Sequence, residues 1–345
     1  MTSGGLFRLF SGGSSWTFHG LFMEFHGISW IFHAFGFEAG LMRRLALLAL
    51  LSPLVYVDVS FNTQGRFRRG KPGEPLEGLF VPTYRGLSLL QEGEAVLLDS
   101  EEGGDFKSWL GSLDSKGYWM LDFSERPEAP EAPELQGAWS KPRSAMDALE
   151  PDLAAILATA AGLSSWHHSN RFCARCGQAT EPCRLGQQRR CTCGQRSRPR
   201  LDPAVLVLVT HGQRLLLGRK AQWPLGRYSA LAGFVEFGET VEECLVREVA
   251  EEAGVQVEPL SIKFVCSQPW LFPRSLLLGF TAEACKDEIS VDMEEMEDVR
   301  WFHASYVQAR LAEAEKGKEV LDNFNIPSRT SLANCLIKRW LQQNT

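Results

Sequence analysis

The sequence predicts an α/β protein: a helix-covered sheet in the C-terminal half, preceded by a cysteine-rich segment and a smaller β-rich region. Three observations carry this expectation. Ala204 to Val209 is continuously apolar and Leu215 to Leu217 begins a second such run, which suits strands buried on both faces. Residues 240–252 have helical periodicity, with Val246, Val249 and Ala253 on one face and Gly254 where a left-handed C-cap residue is expected. All nine cysteines lie after residue 172, and four of them fall in two close pairs.

A chain of 345 residues holds two or three domains. Its hydrophobic content of 44% and charged content of 23% are those of a globular protein. A net charge of −6 excludes an overall basic field for nucleic acid. An RNA partner would need a local patch, and Arg184, Arg189, Arg190, Arg196, Arg198 and Arg200 form the dense one. A solvated loop is the alternative reading of those arginines.

The expected organisation is an extension over 1–52, a β-rich domain over 53–165, a cysteine-bearing segment over 166–200 and an α/β domain over 201–345. In the extension, FHGLFME, FHGISWI and FHAFGFE begin at Phe18, Phe25 and Phe32, a period of seven. Glycines at 20, 27 and 36 make a poor helix there, and a poor frame for His19, His26 and His33 as ligands. Few acids, Arg8, Arg43, Arg44 and the short run LALLALLSPLV suit a disordered or targeting segment rather than a membrane span. The expected compartment is an organelle, the mitochondrion ahead of the peroxisome, or the cytoplasm, and not the secretory route.

Within 53–135, Val55 to Phe61 alternates and Ala95 to Leu98 is a short apolar run, with Gly and Pro turns between such runs. Pro127 to Leu135 reads as a linker. Residues 151–161 read as a helix with Pro151 in its first turn and Gly162 at its end. Cys173 and Cys176 are followed, after fourteen residues, by Cys191 and Cys193, a spacing that reads as a structural zinc site with Cys183 as a spare ligand.

The helix over 240–252 places Glu248, Glu251 and Glu252 at i, i+3 and i+4, one face of three acids. Like charges so spaced repel by roughly 0.2–0.5 kcal/mol per pair, a cost that a divalent cation removes. Carboxylate oxygens suit Mg²⁺ or Mn²⁺, while a solvated acidic face is the alternative. Ser267 to Ser275, SQPWLFPRS, offers Trp270 and Phe272 as flat faces for a base and Gln268 and Ser275 as partners for ribose or phosphate oxygens. Two prolines, Pro269 and Pro273, suggest a stiff loop rather than a central strand.

From Gly233, the fixed residues Glu239, Arg247, Glu248, Glu251, Glu252 and Gly254 match the signature of the Nudix hydrolases. SQPWLFPRS resembles the SQPWPFPxS element of the NADH pyrophosphatase branch, with Leu271 where that branch has proline, and the paired cysteines resemble its zinc ribbon. The resemblance implies an α/β/α sandwich with a mixed sheet, two or three Mg²⁺ or Mn²⁺ ions, one Zn²⁺ held by Cys173, Cys176, Cys191 and Cys193, and a homodimer. It implies hydrolysis of NAD(H) to nicotinamide mononucleotide and AMP, with NAD-capped RNA as a further substrate.

Carried onto this chain, the resemblance gives metal ligands Glu248, Glu251, Glu252, Glu295 and the carbonyl of Ala232. Arg247 orients the glutamates, and Glu252 or Glu251 is the base. Phe234, Gln268, Pro269, Trp270, Leu271, Phe272, Pro273, Arg274, Ser275 and Ala333 are expected at substrate, and Arg143 falls about where the family has a substrate-binding arginine. Arg198 stands where the family often has tyrosine. Another nucleoside diphosphate derivative (NADPH, ADP-ribose, diadenosine polyphosphate) and a catalytically weak nucleotide sensor are the alternatives.

Overall fold

The structure, a computed structural model, describes residues 22–25, 28–31, 67–69, 78–130, 137–315 and 324–344. Residues Met1–Tyr56 form one unit and Val57–Thr345 another. In the first, β1 (Phe22–Phe25) and β2 (Ile28–Ile31) make an antiparallel hairpin. His19, His26, His33, the LALLALLSPLV run and the alternating stretch from Val55 lie outside the described residues. Among the described residues, no helix is long and apolar enough to cross a membrane.

The second unit begins with β3 (Gly78–Tyr84), β4 (Leu87–Gln91), β5 (Glu94–Ala95), β6 (Phe106–Leu113), β7 (Lys116–Asp122) and β8 (Ala138–Ser140). Their order is β5-β4-β3-β7-β6, with β8 on β4, and β3 and β7 run parallel. The turn after β3 has both central residues at positive φ, Arg85 at 50° and Gly86 at 85°, the twist that joins adjacent antiparallel strands. The helix α1 (Pro151–Ser169) covers this sheet, burying Ile156, Leu157 and Trp166 against Val81, Leu110 and Met120.

This helix corrects the expected stop at Gly162. It continues to Ser169 because Gly162 sits inside a packed contact: a Cβ there would lie 3.0 Å from Leu271 Cβ. The helix therefore carries the chain across residue 165 into the ribbon, made of β9 (Thr180–Cys183), β10 (Gln188–Cys191) and β11 (Arg196–Ser197) in antiparallel order.

The C-terminal fold contains β12 (Asp202–His211), β13 (Arg214–Arg219), β14 (Leu231–Phe234), α2 (Val241–Ala253), β15 (Lys263–Trp270), β16 (Ser275–Glu283), β17 (Asp298–His303), α3 (Ala304–Glu315) and α4 (Leu332–Asn344). The sheet order is β15-β16-β12-β13-β17, with β14 also on β12. Only the β12–β16 pair is parallel among these pairings, so the sheet is mixed.

Strand period places its residues in two cores. Leu206, Leu208, Leu215 and Leu217 pack with α3 and α4, while Val205, Val207, Val209 and Leu216 pack with α2. The result is the expected three-layer α/β/α sandwich.

Candidate active site

The helix α2 is placed by its own ends. Thr240 Oγ1 accepts from the Glu243 amide at 3.2 Å, and the Glu243 carboxylate accepts from the Thr240 amide at 2.8 Å. This reciprocal cap satisfies two of the helix's free donors. Gly254, at φ 66°, ends the helix in the left-handed conformation. Cys244, Leu245, Val249 and Ala253 bury against the sheet, while Val246 is only half-buried.

The three glutamates do not share one environment. Glu248 and Glu252 lie on the buried face of α2, whereas Glu251 is exposed. Gly233 in β14 makes room for Glu248: a Cβ at 233 would lie 1.7 Å from Glu248 Cδ. Arg247 ties the rest together. Its Nε and Nη2 donate to Glu239 at 2.8 and 3.0 Å, and Nη2 also donates to the Phe234 carbonyl at 3.0 Å. Its Nη1 donates to Glu248 at 2.9 Å and to Glu251 at 2.8 Å. These five bonds match the five donors of a guanidinium. The two to Glu239, with the Glu236 amide after them, hold its carboxyl down at about 2.

Glu252 is fully buried. Its Oε2 accepts from the Ala232 amide at 3.3 Å. Its Oε1 accepts no hydrogen bond and faces the Lys220 ammonium at 3.2 Å. Burial pushes the Glu252 carboxyl up to about 7, against the pull of Lys220. Burial also raises Glu248, with Arg247 opposing it. Lys220 reaches across to Glu295 at 2.6 Å, so Glu295 joins the site through a cation.

A buried carboxylate oxygen without a hydrogen bond, in a set of hard oxygen donors, fits a divalent cation. Among the described residues the glutamates meet through Arg247 and Lys220, and the one group of three or more ligand atoms within 4.8 Å is the cysteine quartet.

The SQPWLFPRS element is not a free loop. Its first half is β15, an edge strand, where Pro269 is tolerated because one side of the ladder is open. Trp270 and Phe272 meet edge to face at 5.5 Å and pack on the core beneath α1. Arg143 stacks its guanidinium 4.4 Å over the Trp270 ring. Leu271 and Pro273 lie against Gly162 of α1.

Gln268 corrects an expectation. It is fully buried, donates to the Thr330 carbonyl at 2.8 Å and accepts from the Leu332 amide at 2.8 Å, so its amide fastens the start of α4 instead of awaiting ribose or phosphate. Arg274 pairs with Asp202 at 2.7 Å, Ser275 is buried at the start of β16, and Ala333 is buried in the first turn of α4. Phe234 remains 59% exposed at the end of β14.

The sulfurs of Cys173, Cys176, Cys191 and Cys193 all lie within 4.8 Å of one another, with Cys173–Cys193 at 3.8 Å and Cys176–Cys191 at 3.5 Å. Tetrahedral zinc with Zn–S of about 2.3 Å places sulfurs about 3.8 Å apart, so the quartet fits that ion. Cys183 is not in the quartet; it pairs across the ribbon with Gln188.

Two family models match the chain: the NUDIX domain over residues 200–324 and the NADH pyrophosphatase-like rudimentary NUDIX domain over residues 77–166. The NAD-capped RNA hydrolase NudC of Pseudomonas aeruginosa (strain LESB58) is 35% identical over 261 residues, which cover 75% of this chain and 93% of that protein. The chain belongs to the Nudix hydrolases.

Its similarity extends to the NudC of Stutzerimonas stutzeri, 38% identical over 67% of this chain and 76% of that protein. The NAD-capped RNA hydrolase NUDT12 of Homo sapiens is 38% identical over 59% of this chain and 45% of that protein. The two matched Nudix segments bracket the cysteine quartet. Within the Nudix box, helical spacing pointed to Glu248, Glu251 and Glu252, while Glu239 and Arg247 were found through the resemblance. Lys220 escaped both, because a single lysine after the apolar run of β13 carries no spacing signal.

Proposed function

We propose that this Nudix hydrolase cleaves the pyrophosphate bond of NAD(H), releasing AMP and nicotinamide mononucleotide, reduced or oxidised. The observation that carries the reading is the register of β12. Ala204 pairs with Phe234 on one side and with Leu277 on the other, and Asp202 pairs with Ser275, which faces Trp270. The box and the aromatic turn therefore open at the same end of one sheet. A dinucleotide offers both partners at once: a diphosphate for the box, and flat bases for Phe234, Trp270 and Arg143.

Divalent cations, Mg²⁺ or Mn²⁺, held by Glu248, Glu251, Glu252 and Glu295 would neutralise the diphosphate and activate a water. Arg247 fixes Glu248 and Glu251 in place from the side. Glu252 takes the proton of the attacking water: it is buried at the heart of the site, while Glu251 is exposed and bound to Arg247. Structural zinc in the cysteine quartet holds the ribbon together.

NAD-capped RNA is the second reading. It is favoured by the relatives named for that activity and by Arg171, Arg175, Arg184, Arg190, Arg196, Arg198 and Arg200, all exposed on the ribbon segment. Phosphate neutralisation by such residues makes binding fall with salt. Purified protein with Mn²⁺ should release AMP from NADH, and Glu252→Gln should lose about a hundredfold or more in kcat. Unchanged turnover in that variant would sink the assignment. Turnover of free NADH against NAD-capped RNA, at two salt concentrations, decides the preferred substrate.

A further inference from the structure

Lys220 lies outside the box and outside the aromatic turn, yet it is the cation closest to Glu252. Its backbone is held from both sides. The Arg219 carbonyl accepts from the Glu297 amide at 3.0 Å, Arg219 Nη1 pairs with Glu297 at 2.6 Å, and the Lys220 carbonyl accepts from the Trp223 amide at 2.9 Å. From this anchored position the ammonium lies 3.2 Å from Glu252 Oε1 and 2.6 Å from Glu295 Oε1. Those carboxylates come from different elements, α2 and the segment before β17, and Lys220 is the group that joins them.

An ammonium and a divalent cation make the same demand on two carboxylates: positive charge within bonding distance of both. They cannot meet it together. Mg²⁺ bonds oxygen at about 2.1 Å, and an ammonium that close to the same oxygens would repel it. The flexible four-carbon stem of lysine lets the head leave without moving the backbone. We propose that Lys220 is an internal counter-ion of the metal centre. It gathers Glu252 and Glu295 in the metal-free protein, gives them up as the first divalent cation enters, and so weakens metal affinity and sets the metal concentration the enzyme needs.

The inference rests on the reading of Glu252 and Glu295 as metal ligands, and its test separates the two. Mn²⁺ binding to the full chain is measured at pH 8 without substrate, from the electron paramagnetic resonance signal of free Mn²⁺. Lys220→Met and Lys220→Gln should each lower the Mn²⁺ Kd about tenfold, while Lys220→Arg, which keeps the charge, should stay near wild type. Circular dichroism shows that each variant is folded. A purely structural lysine would give the opposite sign, because its loss would loosen the ligands and weaken binding. An unchanged or weaker Kd in both neutral variants, with Glu252→Gln losing Mn²⁺ binding, overturns the counter-ion role alone. Wild-type binding in Glu252→Gln overturns the metal-ligand reading and the counter-ion role with it.

Discussion

Glu252 is held by three opposed influences: burial, one backbone amide and one ammonium. Burial dominates and raises its carboxyl from 4.5 to about 7. Between those pH values the folded, metal-free protein keeps a proton that the unfolded chain has released. The stability Glu252 contributes is therefore full below about pH 4.5 and is lost as pH rises to about 7, on the order of 3 kcal/mol. Urea denaturation of the metal-free protein at pH 5 and pH 8 should show this loss, and Glu252→Gln should flatten it. Equal pH dependence in both proteins contradicts the burial argument.

Gly233→Ala makes a second test at this scale. Its Cβ would overlap the Glu248 carboxyl, so the variant should lose about 1–3 kcal/mol of stability and most of its Mn²⁺ affinity. Glu248, Glu251, Glu252 and Gly254 were legible in the sequence because a helix and its C-cap impose spacing, and Gly233 and Glu239 through the resemblance. Lys220 and Gln268 were not, because each owes its role to partners distant in the chain: Glu252 and Glu295 for one, Thr330 and Leu332 for the other.

At the scale of elements, α2 was readable at its C-terminal end, where Gly254 caps it, and the reciprocal cap at Thr240 came from the structure. Thr240→Ala removes the reciprocal cap and should cost about 1 kcal/mol in denaturant titration, with no change in fold. The strands β12 and β13 were readable because burial on both faces leaves them continuously apolar. The element SQPWLFPRS misled, because prolines forbid a central strand but not an edge one, and the edge position comes from sheet order. Gly162 misled likewise: its helix continues because the turn at 271–273 packs on it. Gly162→Val should push that turn away, raising the KM for NADH several-fold while leaving Mn²⁺ affinity unchanged. Steady-state kinetics beside a Mn²⁺ titration reads both, and a fall in Mn²⁺ affinity equal to the rise in KM would show that the turn and the metal centre are not separable.

Across the whole molecule, the ribbon is tied to α1 by a buried polar network. Arg189 donates to Thr180 Oγ1 at 2.7 Å and to His167 Nδ1 at 3.1 Å, leaving His167 Nε2 to donate to the Gly186 carbonyl at 2.8 Å. Burial first, and Arg189 beside it, lower His167 to about 3, so it stays neutral in the fold. The unfolded chain takes up that proton as pH falls from about 6.5 to about 3, and stability is lost over that window.

Zinc in the cysteine quartet would add to the same connection. Metal analysis should find one zinc per chain, and Cys191→Ser should lose it together with several degrees of Tm; full zinc content in that variant would exclude Cys191 from the site. The role of the segment before α1 in backing Trp270 with Arg143 was only partly legible, because Arg143 stands far from the aromatic turn in sequence.

The most direct test of the central claim is mass analysis of NADH after incubation with the full chain and Mn²⁺. Wild type should form equal amounts of AMP and reduced nicotinamide mononucleotide, and Glu252→Gln should form almost none. Intact NADH, or free nicotinamide with ADP-ribose from cleavage at the glycosidic bond, would contradict it.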